Sequence, residues 1–171
     1  MKKINLVSLI ALAFMAVASG VSAQETASAT ATATIVTPIS IVKDVDMNFG
    51  NVAVQSTTGG TVVLTPAGVR TATGGVTLPT TATGTITAAS FTVTGTGNYS
   101  YSITLPSTAL TITSGANTMT VTNFTSDPSG VGTLTAGTQT LNVGATLNVS
   151  AAQAAGTYVS ATPFDVTVNY N

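Results

Sequence analysis

The sequence predicts an all-β protein, an antiparallel β-sandwich, and two observations lead to that prediction. Short runs rich in Thr, Val, Ile and Tyr alternate apolar with polar residues, and Gly, Pro, Asn and Asp separate the runs. No segment carries the apolar stripe of a helix, since residues 151–155 offer one turn at most. An outer-membrane barrel would require strands of about 10 residues and aromatic girdles. Aromatic residues make up only 5% of the chain and are scattered, which favours the sandwich.

Residues 1–23 are predicted to be a signal peptide. Lys2 and Lys3 precede an apolar run over residues 4–17, and small residues near Ala23 predict cleavage after that position. The run is short for a membrane span, which needs about 20 residues, so no membrane insertion is expected. The chain has no cysteine to carry a lipid anchor. The mature protein is therefore expected to be exported.

The composition argues against nucleic-acid binding and catalysis. The whole chain has 4 basic and 5 acidic residues and no histidine or cysteine, so no basic surface can follow a phosphate backbone. The same absences remove the commonest general base and metal ligands. Asp44 and Asp46 could hold calcium with Asn48, but acids on a solvent-facing strand are the simpler interpretation. The prediction is a protein that is not an enzyme and has no metal or cofactor.

Strands are predicted in order along the mature chain. Its first half contains segments over residues 27–37, 39–42, 47–49, 61–65, 76–78 and 86–93. Pro38 separates the first two, and most of residues 69–79 is expected to be loop. The apolar face moves from even to odd positions near residues 88–90, which predicts a bulge there.

The second half is predicted to begin with a hairpin turn. Gly95, Gly97 and Asn98 favour positive φ, and they precede an alternating strand over residues 99–105. Further strands are predicted over residues 108–113, 117–124, 138–150 and 164–171. In the last of these, the apolar residues share one face and Asp165, Thr167 and Asn169 the other.

The mature chain opens with an unusually regular segment. We call residues 24–38 the extension and residues 39–171 the β-sandwich domain. Every odd position from 27 to 35 is apolar and every even position is Ser or Thr; the apolar residues are Ala27, Ala29, Ala31, Ala33 and Ile35. No local strand partner follows at once. This segment is predicted to pair by its backbone with a groove distant in sequence, either in its own domain or in a neighbour.

Several phrases together resemble a known family. They are MNFGNVAV at residues 47–54, FTVTGTGNYSYSITLPS at 91–107, LNVGATLNVSAAQAAGTY at 141–158 and FDVTVNY at 164–170. In order and spacing they resemble the DUF4402 family of exported bacterial proteins and its relatives, the spore-coat-protein-U-like pilins of archaic chaperone–usher systems. The resemblance implies an immunoglobulin-like sandwich exported from a Gram-negative cell. Pilins of this kind have an alternating N-terminal extension and a penultimate aromatic residue, which Tyr170 matches.

The resemblance implies a specific function. A pilin lacks its last strand, which a periplasmic chaperone supplies first and the next subunit's extension replaces at the outer-membrane usher. The expected function is therefore a structural subunit of a surface fibre, a fimbrium used in cell adhesion, assembled by donor-strand exchange. The apolar residues of the extension would be the donor side chains, and the acceptor groove would be lined by Phe164, Val166, Val168 and Tyr170. The alternative is a monomeric secreted sandwich that binds a ligand or coats the surface.

Overall fold

The computed structural model describes residues 23–171 of the chain. The predicted signal peptide lies outside the described residues except for Ala23. The described residues form no helix, and their strands pair antiparallel, so the predicted all-β sandwich is confirmed. Among them there is accordingly no helix with the length and hydropathy of a membrane span. All strands lie in the compact unit Val36–Asn171.

Fourteen strands follow one another along this unit. They are β1 (Ser40–Val45), β2 (Asn48–Phe49), β3 (Ala53–Val54), β4 (Gly60–Leu64), β5 (Arg70–Gly74), β6 (Val76–Thr77), β7 (Ile86–Thr87), β8 (Ala89–Thr94), β9 (Ser100–Thr104), β10 (Leu110–Ser114), β11 (Asn117–Asp127), β12 (Val131–Thr133), β13 (Thr138–Val149) and β14 (Thr167–Tyr170). Residues 23–39 form none of them.

The larger sheet is organised around β13, its longest strand. The sheet runs in the order β1-β8-β13-β11-β10, and β4 also pairs with β13 and carries β5. The first half of β13 pairs with β8 and the second half with β4, along the same edge. Gly144 lies where the two partners meet, and a Cβ there would come within 2.2 Å of the Leu64 carbonyl oxygen. Only glycine therefore allows β4 to approach β13 so closely.

The smaller sheet has the order β12-β9-β14, and it corrects the predicted hairpin. The strands on either side of residues 95–98 do not pair, because β8 belongs to the larger sheet and β9 to the smaller one. Of the three turn residues, Asn98 alone has a positive φ, at 65°. The segment therefore crosses from one sheet to the other, and its glycines serve close packing. Gly95 is an example, since a Cβ there would lie 2.2 Å from the Tyr170 hydroxyl oxygen.

Two further local predictions can be compared with the structure. Residues 70–74, predicted as loop, form β5, because β4 lies close in sequence and supplies an antiparallel partner across a tight turn at residues 65–68. The predicted bulge near residues 88–90 is seen as a break at Ala88 between β7 and β8. The register of β1 shifts between Lys43 and Val45 at the same level.

The core beneath β1 and β14 lies between the two sheets. Phe91, Val93, Leu141 and Val143 come from the larger sheet, and Tyr101 and Val168 come from the smaller one. Tyr101 is fully buried, and its hydroxyl donates to the Gln139 side-chain carbonyl at 2.9 Å. Burial raises the pKa of this tyrosine. A second core cluster lies under β4 and the far half of β13.

Candidate functional site

The candidate site lies where two unpaired sheet edges meet. β1 pairs only with β8, and β14 pairs only with β9, so each is an edge strand among the described residues. The two strands are neighbours whose Cα atoms come within 8 Å in places. No strand pairing joins them in residues 23–171. We call this region the seam: the free edges of β1 and β14, with the core-facing side chains Ile39, Ile41, Phe164, Val166 and Tyr170.

Backbone groups along β14 point into the seam. The Asn171 N–H donates to the Ser100 carbonyl oxygen at 3.3 Å, one step beyond the β9–β14 register. Hydrogen-bonded and non-hydrogen-bonded pairs alternate in an antiparallel ladder. The N–H and C=O groups of Val168 and Tyr170 therefore point away from β9. They are available to another strand.

The same alternation holds for β1. The Gly95 N–H donates to the Gly137 carbonyl oxygen at 3.0 Å, and these two residues are opposite each other in the register of β8 and β13. Odd-numbered residues of β8 therefore bond to β13. Even-numbered residues of β8 then bond to β1, where they oppose Ser40 and Val42. The backbone groups of Ile41 and Lys43 point away from β8. The seam thus presents free donors and acceptors on both of its walls.

The floor of the seam is apolar and incompletely covered. Phe164 and Val166 are only partly buried although they pack on the core, and Val168 of β14 is 8% exposed. The Phe164 ring contacts Phe91 edge-on at a centroid distance of 6.4 Å and lies 5.0 Å from the ring of Phe124. The predicted acceptor residues therefore share one core-facing side, and this side is where the core between the two sheets meets the unpaired edges.

One end of the seam is closed by a side-chain clamp made of Thr37, Thr96 and Tyr170. The Tyr170 hydroxyl accepts the Thr96 N–H at 2.7 Å and donates to the Thr37 carbonyl oxygen at 2.8 Å. The Thr37 N–H donates to the Thr96 hydroxyl at 2.9 Å. Continuing the β1–β8 register by two pairs places Pro38 opposite Thr96. Proline has no N–H to donate across the ladder, and the pairing of β1 with β8 begins only at Ser40. The Thr96 N–H bonds the Tyr170 hydroxyl.

Sequence reasoning found only part of this clamp. The family resemblance points to Tyr170, but the two partners of its hydroxyl lie 74 and 133 residues away in sequence. The one local signal was Pro38, which predicts that strand pairing stops there. Neither Thr37 nor Thr96 differs in composition from the many other threonines of the chain.

The predicted donor residues lie in a segment without strand structure. Ala27, Ala29, Ala31 and Ala33 are exposed, and Ile35 is 92% exposed. Residues 27–37, predicted to be a strand, are not a strand in this single chain. A strand exists only with a backbone partner, so the alternating pattern by itself does not produce one.

The three side chains considered for calcium each have another partner. Asp46 forms an ion pair with Lys43 at 2.7 Å, and Asp44 accepts a hydrogen bond from the Thr92 hydroxyl at 2.8 Å. The Asn48 side-chain oxygen accepts the Gly50 N–H at 2.8 Å. Within residues 23–171 there is no cluster of three or more His, Cys, Asp or Glu side chains that could hold a metal.

Comparison with known proteins identifies a family. A family model described as a domain of unknown function, DUF4402, matches residues 39–170. No curated protein matches the chain. No solved structure matches it either. The matched span covers β1 to β14 and stops short of the extension.

Proposed function

The chain belongs to the DUF4402 family, and we propose that it is a structural subunit of a bacterial surface fibre assembled by donor-strand exchange. One observation carries the proposal: in residues 23–171 two unpaired edges flank an apolar floor, and the alternating extension of the same chain has exposed apolar side chains. The extension of one subunit would enter the seam of another. Main-chain hydrogen bonds would supply affinity, and alternate side chains would supply specificity.

The donor segment is long enough to span the acceptor. Residues 27–35 would span about 30 Å as a strand, and residues 164–170 would span about 23 Å, at roughly 3.3 Å per residue. An inserted strand needs about 4.8 Å on each side, or roughly 9.6 Å between its two neighbours. Because β1 and β14 come within 8 Å in places, insertion has to widen the seam there. The core-facing side chains of the seam would then pack against the donor alanines, where in the single chain they pack against one another.

The strength of the exchange is moderate. Four alanine methyl groups at about 0.8 kcal/mol each and Ile35 at about 2–3 kcal/mol give roughly 5–6 kcal/mol of apolar burial. Each ladder hydrogen bond adds a net 0.5–1.5 kcal/mol or so. Association entropy opposes this sum. The fibre therefore depends on the full length of the ladder and on slow strand release.

Before assembly the seam needs protection, because an unpaired edge over an apolar floor promotes aggregation. A periplasmic chaperone that lends a strand would cover it, and an outer-membrane usher would exchange that strand for the next subunit's extension. The chain would thus pass through the periplasm and end at the cell surface. The second candidate, a monomeric secreted sandwich, is favoured by the small size of four of the five donor side chains.

Deletion of residues 24–35 is expected to abolish assembly and leave a folded monomer. The deletion removes the donor side chains but keeps Thr37 and the clamp. Purified mature chain should give a ladder of bands on a denaturing gel when unboiled, and the ladder should collapse on boiling. The truncated chain should run as a monomer and retain a cooperative thermal transition. A truncated chain that no longer folds, or a mature chain without a ladder, would contradict the proposal.

A further inference from the structure

We infer that Pro38 and the Tyr170 clamp prevent the extension from filling the seam of its own chain. The inference rests on the proposed function and concerns which seam the extension can enter. It assigns Tyr170 and Thr96 the role of positioning residues for strand exchange. Three geometrical points support it.

The first point is the direction in which β1 leaves the clamp. β1 forms one wall of the seam, and it starts at Ser40, three residues after Thr37. For residues 27–35 to lie in the same seam, the chain must double back between residues 36 and 39. A hairpin against β1 is the structure that self-closure would require.

The second point is which face of the extension, odd-numbered or even-numbered residues, such a hairpin would turn toward the core. A loop of two or four residues centred on Thr37 and Pro38 places Thr34 opposite Ile41, with both side chains on the same face. Since Ile41 faces the core, Ser and Thr would then enter the seam and the alanines would face solvent. A one-residue difference in loop length exchanges the two faces of a strand. A loop with an even number of residues therefore buries the Ser and Thr face of the extension instead of its alanine face.

The third point concerns the three-residue loop centred on Thr37, which would have the correct parity. A loop made of residues 36–38 would place Ala33 opposite Ile41, which is the correct face. Such three-residue loops end in a residue with left-handed, positive φ. Proline is fixed near −65°, so Pro38 cannot occupy that position. A five-residue loop would remove Ile35 from the strand, and with it the largest donor side chain.

The clamp adds a second restraint at the same place. Both backbone groups of Thr37 are already bonded, its N–H to Thr96 and its C=O to Tyr170. None of residues 36–39 has a positive φ. Reversal of the chain would have to break these bonds as well as satisfy the loop geometry. The seam is therefore left open for the extension of a second copy.

A pair of variants tests the inference. Pro38→Gly/Tyr170→Phe permits the three-residue loop and removes the clamp hydroxyl, whereas Pro38→Ala/Tyr170→Phe removes the same groups but disfavours positive φ. Amide exchange is measured on the mature chain at a concentration where it is monomeric, with amides of β13 as the check that each variant is folded. Exchange at residues 29–35 should slow by about tenfold or more in the glycine variant only. Pro38→Gly alone provides a milder variant should the double variant unfold.

The outcomes separate the inference from the proposed function. Protected extension amides in the wild-type monomer would overturn the inference, and so would unprotected amides in a folded glycine variant. Equal protection in the alanine variant would show that the loop does not need a positive φ at position 38, and it would also overturn the inference. The unboiled gel of the wild-type chain is scored separately. A missing ladder with an unprotected extension contradicts strand exchange and leaves the inference standing.

Discussion

Ala31→Lys is expected to abolish the boiling-sensitive ladder, whereas Thr32→Lys is expected to leave it intact. The two substitutions add the same charge to neighbouring positions of the extension, on opposite faces of the strand that it would form. Lysine at position 31 would place an unpaired charge on the apolar floor of the seam, at a cost of several kcal/mol. That cost is comparable with the roughly 5–6 kcal/mol that the proposed donor side chains would contribute. Lysine at position 32 would face solvent.

The comparison is scored on unboiled gels and by sedimentation of the purified mature chains. Both variants should unfold at the same temperature as the wild-type monomer, because the side chains at both positions are exposed in the single chain. An equal loss of assembly in the two variants would show that the added charge acts in the same way on both faces of the extension, as is not expected for an inserted strand. No loss in either would show that residues 27–35 are not the donor.

Lys43→Pro is expected to block assembly without destabilising the domain, whereas Val42→Pro is expected to destabilise the domain. Both side chains lie on exposed positions of β1. The backbone N–H of Lys43 points into the seam, so proline removes a donor that only an incoming strand would use. The N–H of Val42 points toward β8, and its loss leaves a ladder acceptor unsatisfied at a cost of about 1–3 kcal/mol.

Thermal unfolding and the unboiled gel distinguish these two variants. Lys43→Pro also breaks the exposed ion pair with Asp46, which contributes little to stability. Its melting temperature should stay close to that of the wild type, while the Val42→Pro transition falls by several °C. Lys43→Ala is the control for loss of the side chain. Normal assembly of Lys43→Pro would show that the free edge of β1 is not a wall of the acceptor.

Local patterns predicted most of the strands but not their partners. Alternation along residues 117–124 and 138–150 located β11 and β13, because half-buried strands carry a period of two in sequence. The connection at residues 95–98 has the composition of a hairpin turn and yet joins two different sheets. Whether β8 and β9 pair depends on their competing partners β13, β1, β12 and β14. That competition is decided by long-range packing and leaves no signal in the turn itself.

In the candidate site too, local patterns could be predicted from the sequence and long-range partners could not. The shared face of Phe164, Val166, Val168 and Tyr170 follows directly from alternation, and the burial of these residues agrees with it. The role of the Tyr170 hydroxyl could not be predicted, because Thr37 and Thr96 approach it only after the sheets have packed. The segment over residues 27–37 is the opposite case. Its pattern is regular, but a strand needs a partner, and its sequence does not identify one.

A disulfide trap tests the central claim, that residues 27–35 pair in the seam of a second copy. The chain has no cysteine, so Ala31→Cys/Ile41→Cys contains only the two introduced thiols, which can bond when their Cβ atoms come within about 4.5 Å. Thr32→Cys/Ile41→Cys is the control for the opposite face. After oxidation of the purified protein, the Ala31 variant alone is expected to form covalent multimers that survive boiling and collapse with reductant. An intrachain disulfide in a monomer, or an equal ladder from the Thr32 variant, would contradict it.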